Sequence, residues 1–200
     1  MPRHRRHAIF PPLCGAVAIV LSATISAGAE TINPDRIAYD AKANDDPAAK
    51  TCMLELMLKG NDAGETVKFQ LVVGRMKRDD AFTGPLVFGF TLDVLDPPLA
   101  GARASAPRPV EISSAAFVSD RYTAAARPKT APFVDGSWVA STLDSAEGSE
   151  LVEVAANGKF QIAYTRQRPA AARVLNVTSA PPLDVLWRFG GCIDAFDPIE

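Results

Sequence analysis

Histidine is nearly absent from this chain: of 200 residues two are histidine, His4 and His7, both at the extreme N-terminus. If that terminus is removed, a Ser-His-Asp triad, a Cys-His pair and a histidine zinc site are all excluded. Cysteine is scarce too, with three residues at positions 14, 52 and 192. No serine stands in a G-x-S-x-G or S-x-x-K setting, which removes the serine mechanisms those motifs mark. Neither a glycine-rich phosphate loop nor a calcium-loop spacing occurs, so no cofactor and no metal are expected. No strong excess of one charge is present either, the net charge being -2. Phosphate backbones are bound through clustered Lys and Arg, so nucleic acid is not an expected partner.

What is present begins with "MPRHRRHAIFPPLCGAVAIVLSATISAGAE". Arg3, Arg5 and Arg6 precede a small apolar run from Leu13 to about Ile25, and "SAGA" ends at Ala29. These are the three parts of a secretory signal peptide in order. The run is shorter than the roughly 20 apolar residues a spanning helix needs, so residues 1–29 are expected to be cleaved, leaving no stable membrane insertion. Arg5-Arg6 suggests a twin-arginine leader, but "HAIFPP" fits that pattern poorly. Cys14 leaves with the leader, as do both histidines. Lys+Arg then falls from 21 to 18 against 23 acidic residues, a net charge of about -5, and a periplasmic or secreted location follows.

Two cysteines remain, Cys52 and Cys192. Export places them in an oxidising compartment, where an even number normally means a disulfide. A Cys52–Cys192 bridge is therefore expected, with two buried thiols or, more remotely, a metal site as alternatives. On the chain-entropy model a loop this long stabilises the fold by about 4–5 kcal/mol.

The mature length suits one domain. Residues 30–50, "ETINPDRIAYDAKANDDPAAK", show no sustained period and read as a flexible or irregular lead-in, leaving 51–200 as a single β-rich domain. "TCMLELMLKG" alternates, placing Cys52, Leu54, Leu56 and Leu58 on one face. After "GNDAGE", "TVKFQLVVG" does the same with Val67, Phe69, Leu71 and Val73, and the two read as a hairpin. "PLVFGFTLDVLD" follows with Leu86, Phe88, Phe90, Leu92 and Val94. "AAFVSDRYTA" and "SWVASTL" read as shorter strands, with Trp138 expected in the core. Asp144 or Ser145 opens a helix that closes at Asn157-Gly158 in the manner of a left-handed cap. "KFQIAYT" and "ARVLNVTS" read as paired strands. A last helix is expected to start at Thr178 or Ser179 and to carry Leu183, Leu186, Phe189, Cys192, Ile193 and Phe196 inward. Gly190 and Gly191 within it suggest close packing of another element, or a break before Cys192. The fold class is mainly β, antiparallel and sandwich-like, with two short α-helices.

For chemistry there remain carboxylates, lysine, tyrosine and arginine. Asp79-Asp80, Asp93 and Asp96 are candidate carboxylates of a hydrolase acting on envelope or extracellular polymers. Such an enzyme needs two acidic side chains about 5–10 Å apart, here with one buried beside Trp138 or Tyr164. Arg75, Lys77 and Arg78 are candidates for an anionic-ligand surface, other basic residues being scattered.

The ordered series "TCMLELML", "VKFQLVVGRMKRDD", "GPLVFGFTLDV" and "LVEVAANGKFQIAYT" resembles the invasion-associated locus B proteins of alphaproteobacteria over roughly residues 50 to 195. That resemblance implies a small exported β-rich protein without established catalysis, linked to envelope or host-surface interactions, and it transfers no residue role. The expected function is a non-catalytic binding or accessory role. Intact mass before and after reduction with a thiol-alkylating reagent tests leader and bridge together. The expected mass is that of residues 30–200 less two hydrogens, with two alkyl groups gained only after reduction; alkylation without reduction contradicts the bridge.

Overall fold

Apolar alternation dictates the architecture. The computed structural model describes residues 29–46, 49–60, 64–77, 84, 86–97, 107–128, 138–140 and 145–196. The expected leader, Arg78 and Asp79-Asp80 lie outside the described residues, as does the side chain of Trp138. In β3 (Ala49–Gly60), Cys52, Leu54, Leu56 and Leu58 are fully buried. In β4 (Thr66–Met76), Val67, Phe69, Leu71 and Val73 are buried, and in β5 (Leu86–Asp96), Phe88, Phe90, Leu92 and Val94. The three strands form an antiparallel meander in which Leu56 pairs with Phe69 and Phe69 with Leu92. Each strand thus turns the same parity of side chain inward.

Where an irregular lead-in was expected over residues 30–50, strand covers 30–32, 34–46 and 49–50. β1 (Glu30–Ile32) and β2 (Pro34–Asp46) flank Asn33, and β2 pairs antiparallel with β3 from Pro34–Gly60 to Asp46–Ala49. Ile37, Tyr39 and Ala41 stand opposite Leu58, Leu56 and Leu54 and pack against the core. The segment is too polar to announce itself, and its strand form comes from a finished neighbour with free backbone groups rather than from intrinsic preference.

The second sheet holds β7 (Ile112–Val118), β10 (Phe160–Gln167) and β11 (Ala170–Val177), with β10 between the other two. β1 adds to β11 in parallel. "AAFVSDRYTA", expected as one strand, is a hairpin: β7 turns at residues 119–122 into β8 (Thr123–Pro128). β8 then changes sheets. Thr123 to Ala125 pair with β7, whereas Ala126 to Pro128 pair with β9 (Trp138–Ala140), which joins β5. A strand shared in this way makes a corner between packed sheets. β6 (Arg108–Pro109) adds a short pairing to β5. The two antiparallel-rich sheets form a sandwich-like fold, and its core is aromatic. Phe69 and Phe90 of one sheet meet Phe117 and Phe160 of the other, with Phe69–Phe160 centroids 5.7 Å apart and Phe117–Phe160 4.7 Å.

Helix α1 (Ser145–Asn157) closes as expected at Gly158, whose φ is +64°. Gly148, buried on α1, lies against the Phe88 ring: a Cβ there would stand 2.1 Å from the nearest ring carbon. Helix α2 (Leu183–Asp194) begins later than expected, with Pro182 as its N-cap and no side-chain capping bond. Proline disfavours a helical conformation in the residue before it, so Pro181-Pro182 postpones the helix, and Ser179 is engaged by Tyr39. The buried side also differs. Val185, Phe189 and Phe196 are buried and Cys192 and Ile193 pack against the core, while Leu183 is 70% exposed. Leu183 stands about 120° round the helix from Phe189, too far to share its face.

Cys192 is bonded to Cys52, with Cα atoms 5.8 Å apart, and ties α2 to β3. Gly190 and Gly191 do not break the helix, and among the described residues nothing lies within 4 Å of a Cβ built on either. Close packing falls instead at glycines such as Gly84, Gly148 and Gly158. Gly158→Ala would place a methyl 2.0 Å from the Ser179 carbonyl oxygen in a left-handed conformation. Urea denaturation at low protein concentration is expected to show Gly148→Ala and Gly158→Ala each destabilised by about 1–3 kcal/mol. Gly190→Ala and Gly191→Ala are expected to be stabilised by up to about 1 kcal/mol.

Candidate functional site

A groove of about 850 Å³ opens where the β7–β8 turn, the C-terminal end of α1 and the adjoining ends of β10 and β11 meet. The turn is shaped by Ser119, whose Oγ accepts from the backbone N–H of Tyr122 at 2.9 Å and of Arg121 at 3.3 Å. This is the local bonding by which serine favours turns. Arg121 then reaches α1, donating to Glu153 at 2.9 Å and lying 3.4 Å from Glu150. The groove wall is thereby fixed to the helix. Asn157 and Lys159 flank the Gly158 cap, and Val154, Phe160 and Val177 supply apolar parts of the lining.

Side-chain amides line the sheet side. Gln161 Nε2 donates to Asn176 Oδ1 at 2.8 Å, and Asn176 Nδ2 donates to Asn33 Oδ1 at 2.8 Å. The three residues form a ladder across β10, β11 and the β1–β2 junction. With Asp120, Lys159 and Thr178 nearby, the lining offers donors and acceptors in both signs of charge. Such a lining suits hydrogen bonding to a polar ligand.

A second polar constellation lies at one rim of the sandwich, where the inward rows end in charge. Glu65 continues the row of Val67 and Phe69, Asp96 that of Leu92 and Val94, and Arg166 that of Ile162 and Tyr164. Arg166, its side chain 7% exposed, donates to Glu65 and also to Asp96 at 3.0 Å. Tyr164 donates to the other oxygen of Glu65 at 2.6 Å, and Arg108 stands 3.8 Å from Asp96. Burial above all, with the charges of Asp96 and Glu30 against the opposing pull of Arg173, raises the Tyr164 hydroxyl far above its ordinary range. Burial, followed by repulsion from Arg173, lowers Arg166.

Glu65, which the sequence reading did not single out, is buried beside Tyr164 and shares Arg166 with Asp96. The adjoining cleft of about 340 Å³ is lined by Asp96, Arg108, Arg166 and Arg168 but not by Glu65. Both Glu65 oxygens are already taken by internal donors. Sequence reasoning named Asp96 and Tyr164, left Arg166 among the scattered basic residues, and missed Glu65. Carrying strand parity one step past the last apolar residue was the signal available.

On the outer face of the β2–β5 sheet, Glu55 accepts from Lys42 at 2.8 Å and from Gln70 at 2.9 Å, with Lys68 at 3.2 Å. Burial raises its carboxyl, but the bonds and charges of Lys42 and Lys68 outweigh that and hold it below its usual range. Of the cations expected to form an anionic-ligand surface, Arg75 is partly buried near the end of β4 and Lys77 is exposed beyond it. Both are engaged within the fold, while Arg78 lies outside the described residues. Asp93 is likewise engaged, and the described residues contain no cluster of three or more metal-ligating side chains.

No family model matches the chain, and neither a curated protein nor a solved structure matches it. The site therefore has to be argued from its own chemistry. Arg166→Met leaves Glu65 and Asp96 without their shared cation, at an expected cost of about 3–5 kcal/mol. Glu65→Leu/Arg166→Leu, which removes the inner pair together, is expected to cost less than Arg166→Met in the same urea titration.

Proposed function

We propose that this chain is an exported, non-catalytic binding or accessory protein of the bacterial envelope, acting in the periplasm or after secretion, and that the amide-lined groove is its recognition surface. The carrying observation is the division of labour among polar groups. The buried carboxylate beside Tyr164 is held by internal donors on both oxygens, whereas the groove opens on Lys159, Gln161 and Asn176, and the two amides keep donor and acceptor capacity beyond the ladder bonds. A general acid must hold a proton within reach of the substrate, and Glu65 is enclosed and bound to a guanidinium. The leader-like N-terminus and the Cys52–Cys192 bridge favour an oxidising compartment. The resemblance to the invasion-associated locus B proteins points to the same kind of role. Among the described residues no helix is long and apolar enough to cross a membrane.

The ligand class that fits is a polar envelope component carrying several hydroxyl or amide groups. Solution NMR of the oxidised protein titrated with soluble peptidoglycan fragments and with core oligosaccharide tests this. Backbone shifts are expected to concentrate at Lys159, Gln161 and Asn176 for one of the two, and Asn176→Ala is expected to weaken that binding about tenfold. Polymer turnover by the wild type that Glu65→Gln abolishes, with no shift in the groove, would establish the carboxylate hydrolase instead.

A further inference from the structure

Helix α2 carries two features that no contact among the described residues explains. Trp187 is 76% exposed and Leu183 70%. One turn further along the same side, Gly190 and Gly191 lie within the helix with open space where a Cβ would stand. Each glycine costs about 1 kcal/mol relative to alanine in a helix interior, and neither admits another element among the described residues. Leu183, Trp187, Gly191 and Ala195 succeed one another at intervals of four and form a single ridge. That ridge lies opposite the face carrying Val185 and Phe189, which is buried.

We infer that this ridge docks against the same ridge of a second copy, the two helices running antiparallel about a two-fold axis level with Leu186. The geometry follows from the rise of about 1.5 Å per residue. Leu183 then falls between the partner's Trp187 and the partner's Gly191, and the two tryptophans lie side by side at the centre. The glycine side lets the partner's leucine approach the backbone closely.

Charge selects the same register. Asp184 and Arg188 flank Leu186 at equal distances along the axis, on the same side of the ridge. A two-fold axis perpendicular to the plane of an antiparallel pair keeps like flanks together, so Asp184 comes level with the partner's Arg188, and Arg188 with the partner's Asp184. Both side chains are exposed, and within one copy they stand 3.9 Å apart while Arg188 also donates to Asp40 at 3.1 Å. An isologous contact of this kind is self-complementary by construction. With one helix contributed by each copy, the contact is smaller than the ~800 Å² per partner of a standard interface, so the dimer dissociates on dilution.

Sedimentation velocity of the oxidised, exported chain over a range of concentrations tests the proposal, with Trp187 emission followed in a Trp138→Phe background. The expected result is a monomer–dimer equilibrium with a blue shift of Trp187 on association. Trp187→Ala and Asp184→Lys are each expected to weaken association at least tenfold while leaving the melting temperature of the dilute protein unchanged. The exchange Asp184→Lys/Arg188→Asp, made in an Asp40→Asn background because Arg188 bonds Asp40, is expected to restore most of it. A chain that stays monomeric through the high-micromolar range overturns the inference, as does an exchange variant that fails to recover. A Trp187 shift that responds to phosphatidylethanolamine–phosphatidylglycerol vesicles and not to protein concentration also overturns it, assigning the ridge to a lipid surface.

Discussion

Phe69 touches both sheets at once, and the rest of the fold is arranged around that contact. It lies beside Phe90 on the neighbouring strand and against Phe117 and Phe160 across the sandwich. Such a core fixes the separation and mutual rotation of the sheets, because aromatic rings bury large areas and prefer offset or tilted contact. With the sheets held, the side chains at the ends of the inward rows have no freedom left. Each must meet whatever the other sheet or the helices place opposite it.

The two extremes of those rows are closed by different means. On one side the helices close the sandwich: Gly148 lets α1 approach Phe88, Val185 and Phe189 enter from α2, and the Cys52–Cys192 bond holds that helix to β3. Where β4, β5 and β10 run out at the opposite rim, Arg166 joins two carboxylates from the facing sheet. A buried ion pair of this kind is a poor source of net stability but a strong constraint on partners, since breaking it strands a charge. It specifies how the sheets register while occupying the acidic groups that chemistry would otherwise use.

On the proposed reading recognition falls to the exterior, where the groove and the α2 ridge are built on elements anchored to the core. Arg121 ties the hairpin turn to α1, and the amide ladder spans two strands and the crossing at Asn33. Binding sites mounted on regular elements are positioned more precisely than sites on free loops. The exposed ridge owes its orientation to the disulfide and to Phe189, which between them set the rotation of α2.

The alternation in Cys52–Leu58, Val67–Val73 and Leu86–Val94 was sufficient to assign those strands and their buried faces, because a period of two has one solution once one face must leave water. Counting the cysteines that lie beyond the leader-like N-terminus was enough to pair Cys52 with Cys192, and the Asn157-Gly158 stop marked the end of α1. Residues 30–46 were not legible as strand, since their apolar positions are few and their form comes from pairing with β3. Nor was the burial of Arg166 with Glu65, or the groove made by residues far apart in the chain. The inward side of α2 also needed the tether at Cys192 and the delay imposed by Pro181-Pro182. Local pattern is a property of neighbours along the chain, and it determined the apolar strands and the first helix, while the cysteine count determined the bridge. The charged rim, the groove and the exposed ridge depend on which distant segments are brought opposite one another, and only the packing of the two sheets decided that.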